Sequence, residues 1–285
     1  MFLIIGYVVI LAAALGTYAV HGSLAALWVP TEYIAIVGLM IGGFLAGNSG
    51  KSIKATTAAL PSVFKNSPYN KALYMDVLAL LFEVLTKVRK EGLMSIEGDV
   101  ENPEASPIFS KYPNVISDHH VVEFMTDYLR MMVGGNLNAF EIESLMDVEM
   151  ETHHQEAHVA PHVMSKVADG VPAFGIVVAV MGVVNVMGSV GEPPAVLGKM
   201  IGGALVGTFL GILISYGFVA PIASQLEQKS EESGKIYQCI KSVLLASMNG
   251  YAPQVAVEFG RKVLYSSDRP SFSELEEDLK NRKGK

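Results

Sequence analysis

Hydrophobic residues gather in four unbroken runs, near Phe2–Val20, Val29–Gly47, Val171–Gly188 and Ile201–Ala223. Each is long enough to cross a hydrocarbon core, which takes roughly 20 mostly apolar residues as helix. The runs are continuous and lack the alternation of barrel strands, so they predict helices. The first carries no charge, and Glu32, near the outer mouth of the second, is the one charged residue that intrudes. A signal peptide is the bland reading of the first run, but no basic residue precedes it and three further spans follow.

Between the first and second pairs of runs, and after the second pair, the periodicity changes. Tyr69–Arg89 carries an apolar face through Ala72, Met75, Leu78, Leu81, Phe82 and Leu85, the spacing of an amphipathic helix. Gly92 and then Asn102-Pro103 mark its end. Val121–Val133 predicts a second such helix, stopped by Gly134-Gly135, and Asn138–Glu156 a third that leads toward the third span. Gln225–Ser247 continues the fourth span, and Val255–Leu264 is a last helix before a polar tail. The expectation is an all-α polytopic membrane protein with four transmembrane helices and a helical cytoplasmic domain. Its parts are residues 1–49 (spans one and two), 50–168 (cytoplasmic helices), 169–223 (spans three and four) and 224–285 (C-terminal helices and tail).

Composition agrees. The chain is 51% hydrophobic and 17% charged, against about 25% charged residues in globular domains, and its mean hydropathy is +0.37. Of the 21 Lys and Arg, all but Lys199 lie in Lys51–Lys166 or Lys229–Lys285. Under the positive-inside rule both segments, and with them both termini, face the cytoplasm. The lone Cys239 falls in that part, so no disulfide framework is expected.

Gly203, Gly207 and Gly211 repeat every fourth residue in the last span, as do Gly38 and Gly42, then Gly43 and Gly47, in the second. Small residues at this spacing let helix backbones approach closely in lipid, although glycine is also simply common there. No span shows a deep ionisable residue of the kind that marks a proton relay. Thr208, Ser215, Tyr216 and Asn185 are the notable polar groups, and hydroxyls coordinate or relay without holding a proton at ordinary pH. If ions pass, a partner must supply the carboxylate. Pro172 and Pro221 each lie at one end of a span, where a missing backbone donor loosens the helix, or where the proline merely stops it.

The charges after the first amphipathic helix, Lys87, Arg89, Lys90 and Glu91, then Glu97 and Asp99, suit either a solvated surface or docking to a charged partner. His154 and His158 are four apart, a spacing that binds a metal on one helix face, but a surface helix accounts for them equally and no metal is expected. The NSGKS stretch at Asn48–Ser52 lacks the first glycine of a phosphate loop and follows a span. No nucleophile elbow or triad is present, so the chain does not read as an enzyme, and no cofactor or nucleic acid is implied.

Several stretches carry a resemblance: GNSGKSIK at Gly47–Lys54, YMDVLALL at Tyr74–Leu81, FEIESLMD at Phe140–Asp147, PAFGIVVAVMGVV at Pro172–Val184 and VGTFLGILISYGF at Val206–Phe218. The longest is NGYAPQVAVEFGRKVLYSSDRPSFSELEE at Asn249–Glu277. On these the chain resembles the MotA/TolQ/ExbB proton-channel family nearly end to end, and within it the larger membrane subunits of bacterial flagellar stators. The resemblance implies a multi-pass subunit of the bacterial inner membrane, in a homopentameric ring around two copies of a MotB-like single-span subunit. That subunit's transmembrane aspartate would carry the ion, which fits the missing carboxylate.

The same resemblance implies site roles. Arg89 and Glu97 match the charged pair that engages the rotor switch protein, with Lys90 and Asp99 as helpers. Pro172 and Pro221 match prolines that couple ion passage to movement of the cytoplasmic part. Sodium-driven relatives are similar to one another in having Thr seven residues after the first of these prolines. This chain has Ala179 there, which favours protons, while Thr208 on the last span leaves a sodium-driven stator open. An ExbB/TolQ-like energiser of an outer-membrane system is the other alternative.

Overall fold

The computed structural model describes residues 2–135 and 138–283, so the last two residues of the tail lie outside the described residues. Among the described residues every regular element is a helix. Helices α1 (Phe2–His21) and α2 (Pro30–Ala46) are the first two spans. Then α3 (Gly50–Ala59) starts at Ser49, whose hydroxyl accepts from the Ser52 N–H at 3.2 Å. The NSGKS stretch is thus a helix cap. Helix α4 (Lys71–Glu91) is capped by Asn70, whose Oδ1 accepts from the N–H groups of Ala72 and Leu73, and it ends at Gly92 with φ of 86°. Short α5 (Glu97–Glu101) and α6 (Pro113–Ile116) lead to α7 (His119–Gly134), capped by Asp118 and closed by Gly135 at φ 65°. Both glycines sit in the left-handed region that side chains disfavour.

Helix α8 (Ala139–Met187) is 49 residues long. It merges the third amphipathic helix and the third span into one element, with Pro161 and Pro172 inside it. Helix α9 (Pro194–Ile214) passes through a π-helical turn, Ser215–Val219, into α10 (Ala220–Met248). Helices α11 (Pro253–Val263) and α12 (Phe272–Lys283) finish the chain, so the segment expected as a polar tail folds. Among the described residues four helical stretches are long and apolar enough to span a bilayer: Phe2–His21, Leu24–Ala46, Ala139–Met187 and Pro194–Met248.

The chain divides into two compact units. The first is Met1–Asn66 with Ala157–Lys229, and the second is Ser67–Glu156 with Ser230–Lys285. The first therefore takes in α3 and stretches beyond the span ends expected at residues 49, 169 and 223. Its interior holds Ile36, Val171, Val178, Val206 and Leu210, and a second cluster of Val63, Ala160, Met164, Ala168, Val219, Ala223 and Leu226. Helix α1 has no buried residue, as suits a helix whose solvent is lipid. The second unit has an ordinary water-soluble core of α4, α6, α7, α10, α11 and α12, with Val77, Leu78, Leu80, Leu81, Met125 and Ile240 fully enclosed. Cys239 is buried there, which pushes its thiol up to about 12, a structural and unreactive cysteine.

Candidate functional site: proline hinges, a glycine seam and a charged helix end

Helices α8 and α9 meet backbone on backbone. A Cβ on Gly211 would lie 2.7 Å from the Gly175 Cα, and one on Gly175 would lie 2.8 Å from both the Gly207 carbonyl oxygen and the Gly211 Cα. A Cβ on Gly182 would likewise lie 2.7 Å from the Ala204 Cβ. The expected glycine face is therefore formed by Gly207 and Gly211, while Gly203, Gly38 and Gly42 look into open space. Gly43 faces the Phe174 ring. Gly175 and Gly182, which no fourfold repeat singles out, are the other half of the seam.

The two prolines lie next to this seam and are joined. Pro172 has no N–H, so the carbonyl of Ala168, one turn earlier, loses its helical donor. The Ser215 hydroxyl supplies it, donating to the Ala168 oxygen at 2.6 Å, and Ser215 is 0% exposed. Ser215 also opens the π-helical turn, in which the Ala220 N–H donates to the Ser215 carbonyl five residues back. Pro221 follows immediately. A π turn absorbs the register error left where a proline cannot donate. The Tyr7 hydroxyl of α1 donates to the Phe218 carbonyl in that turn at 2.9 Å, with the two rings 4.9 Å apart.

Ala179 and Thr208 come to one level. The Ala179 N–H nitrogen lies 3.1 Å from where a Cβ on Gly207 would sit, and Thr208 is the next residue along, half-buried. At the same point is the Glu32 carboxylate: its Oε2 is also 3.1 Å from that position, and it is buried without a hydrogen-bond partner among the described residues. Glu32 stays in the first turn of α2, as expected, and its side chain reaches across to α9. Gly207 lies 13 residues past Pro194, about 20 Å along α9, and Ala179 about 12 Å back from the end of α8. Position along α2 alone does not show this contact, because Glu32 is in the first turn of that helix.

The charged helix end separates into two parts. Arg89 and Lys90 in the last turn of α4, and Glu97 at the start of α5, are exposed and form no ion pair among the described residues. Asp99 is different. It is 6% exposed, pairs with Lys87 at 2.8 Å and accepts from the Ser106 hydroxyl at 2.6 Å. Its charge is committed inside the fold, tying α4 to α5, and it does not belong to the exposed set. Sequence reasoning also missed Leu93 and Met94, which stand exposed between the charges. Of the histidines, His153 packs on the Tyr237 ring at 4.5 Å, and burial, then the charge of His120, lowers its pKa. Among the described residues no three His, Cys, Asp or Glu side chains are grouped to hold a metal.

Comparison with known proteins places this geometry. Residues 4–92 match the family model described as motility protein A N-terminal, and residues 117–238 match that of the MotA/TolQ/ExbB proton channel family. The chain is 52% identical to motility protein A of Escherichia coli strain K12 over 281 residues, covering 98% of this chain and 95% of that protein. It is 30% identical to chemotaxis protein LafT of Vibrio parahaemolyticus, again over 281 residues, with 98% and 99% covered. Two solved structures share its fold. That of C. jejuni MotAB gives a TM-score of 0.77 at 20% identity, with 94% of this chain and 98% of that one covered. The flagellar MotAB stator complex from Bacillus subtilis gives 0.73 at 24% identity, with 90% and 92% covered. With two family models spanning most of its length and a relative half identical over nearly all of it, the chain belongs to the MotA/TolQ/ExbB proton channel family, in its motility protein A branch.

Proposed function

We propose that the chain is the larger membrane subunit of a flagellar stator, which with a MotB-like single-span subunit forms a proton-conducting channel and turns ion flow into torque on the rotor. The observation that carries the coupling is the Ser215 hydroxyl bridging the carbonyl freed by Pro172 to the π turn before Pro221. One charge crossing 100 mV releases about 2.3 kcal/mol. A buried hydrogen bond contributes about 0.5–1.5 kcal/mol net. One ion therefore carries enough free energy to switch an element held by one or two such bonds, and too little to unfold a span.

Protons are favoured over sodium because Ala179 offers no oxygen to replace lost hydration, with Thr208 the nearest hydroxyl in sequence to Gly207. An outer-membrane energiser is disfavoured by a motility protein A being 52% identical over 281 residues, including the C-terminal stretch. The distribution of the basic residues supports a cytoplasmic side for the termini, α4 and α5. There Arg89, Lys90 and Glu97, with Leu93 and Met94 between them, present both charge signs and an apolar centre to the rotor switch protein. A ring of five such subunits is the expected assembly. The test is Arg89→Glu in swimming cells: motility falls while membrane insertion and stator assembly persist. Normal swimming in the double change Arg89→Ala with Glu97→Ala removes the docking role from these charges.

A further inference from the structure

We propose that Glu32 is a proton-exchange site belonging to this chain itself, set within the outer half of the ion route; the idea rests on the stator reading above. An acid in the first turn of a helix ordinarily faces water or accepts from the open N–H groups there. The Glu32 Oε2 does neither, being fully buried with no hydrogen-bond partner among the described residues. It reaches α9 because residue 207 is glycine: a Cβ there would stand 3.1 Å from the oxygen. The other atoms at that point are the Ala179 nitrogen and the Val178 side chain, and Val178 belongs to an apolar cluster with Ile36, Val206 and Leu210, none of which can balance a charge; the residue as a whole is half-buried.

An unpaired carboxylate in such surroundings is costly, whereas a neutral acid, or one visited by a cation, is tolerated. The helices against it add no second acid. The spanning part of α8, Val171–Met187, has no titratable group, and α1 offers only Tyr7, Tyr18 and terminal His21. On α9 the charged residue is Lys199, eight residues before Gly207 and so about 12 Å away along the axis. Tyr33, beside Glu32, spends its hydroxyl on the Leu27 carbonyl at 3.3 Å. Glu32 thus shares one level with Ala179 and Thr208 and has no structural partner. In the exchange, a proton from outer-face water bonds to a carboxylate oxygen and leaves a neutral acid. The acid then passes that proton to the next acceptor on the route and returns to carboxylate.

The experiment measures proton uptake by proteoliposomes holding the whole complex, this chain with its MotB-like subunit, against external pH. Glu32→Gln is expected to assemble, with flux falling several-fold and losing the wild-type dependence on external pH. Glu32→Asp, which keeps the acid but draws it back from Gly207, is expected to conduct with a displaced midpoint. Wild-type flux and pH profile in Glu32→Gln overturn the proposal. If that variant does not assemble, an unmoved midpoint in Glu32→Asp overturns it instead. A wild-type complex that moves no protons sinks the stator reading and this proposal together, an outcome distinct from a conducting wild type with a silent Glu32.

Discussion

Ser215→Ala removes one hydroxyl, and with it the donor to the Ala168 carbonyl. Ala168 is buried and Pro172 cannot return a helical N–H, so the carbonyl is left without a partner. In water-soluble proteins an orphaned buried group costs about 1–3 kcal/mol. In membrane bundles measured hydrogen-bond terms average about 0.6 and reach about 1.7 kcal/mol, because the unfolded helices find other partners. Here the proline denies one such partner, which puts the expected cost near the upper figure, about 1–2 kcal/mol. The decisive measurement is a double-mutant cycle read by denaturant unfolding of the purified complex in lipid-like micelles. Pro172→Ala restores the helical N–H, so the hydroxyl becomes redundant and Ser215→Ala costs about 0.5 kcal/mol or less in that background. The coupling energy is then about 1 kcal/mol. An equal cost of Ser215→Ala in both backgrounds refutes the reasoning, since it means that the hydroxyl does not answer the proline.

Two further outcomes follow from the geometry. Gly211→Ala drives a methyl group to 2.7 Å from the Gly175 Cα, where backbone cannot yield, so α8 and α9 part by about 1 Å at a cost of about 1–3 kcal/mol. Gly234→Ala, facing open space in α10, gains about 0.5–1 kcal/mol from lower chain entropy, and equal stability of the two variants in a melting assay counts against the seam. His153 has a folded-state pKa below its ordinary value, through burial first and the His120 charge second, so the unfolded chain binds a proton that the folded one refuses. Its contribution to the stability of the second unit is present above about pH 6.5 and is lost as pH falls toward the folded value. His153→Gln flattens the melting temperature against pH in that window, and an unchanged slope rejects the assignment.

The spans and amphipathic helices were legible because hydrophobic periodicity is a local signal, and the ends of the first two spans and first two amphipathic helices moved by about one or two residues. What was lost needed either a second signal or a second helix. Helix α12 carries just Leu275 and Leu279 into the core, too few for a pattern, yet Ser271 and Glu274 form a reciprocal capping box, the Ser271 N–H to Glu274 at 2.6 Å and the Glu274 N–H to Ser271 at 3.2 Å. That spacing of Ser and Glu is readable in advance. The division between Asn138–Glu156 and the third span was drawn because polarity changes there; the backbone continues through it, since the change marks the surroundings and leaves helix propensity intact. Asp99 and Glu97 are alike in sequence, and only the positions of Lys87 and Ser106 decide which is buried. Glu32 is the sharpest case. Its contact with Gly207 depends on the axial offset between α2 and α9, a quantity no single helix contains.

That offset also bears on how an event at Ala179 could reach the prolines. Ala179 stands seven residues from Pro172, about 10 Å along α8, and between them Gly175 rests on Gly207 and Gly211. Where side chains separate two helices, a small displacement is absorbed by rotamer changes. Where backbone touches backbone there is nothing to rotate, so a shift of α8 must move α9 or open the contact. At the far end of the seam the two helices are tied again by Ser215 on Ala168, and Ser215 opens the π turn. Coupling of this kind needs an element with two discrete arrangements, and the hydrogen-bonded π turn beside the seam is the candidate for it. Glu32 beside Ala179, the glycine contact and the proline turn therefore stand in one run of contacts inside the first unit, and Ser215 is the point at which the proposed coupling is most directly tested.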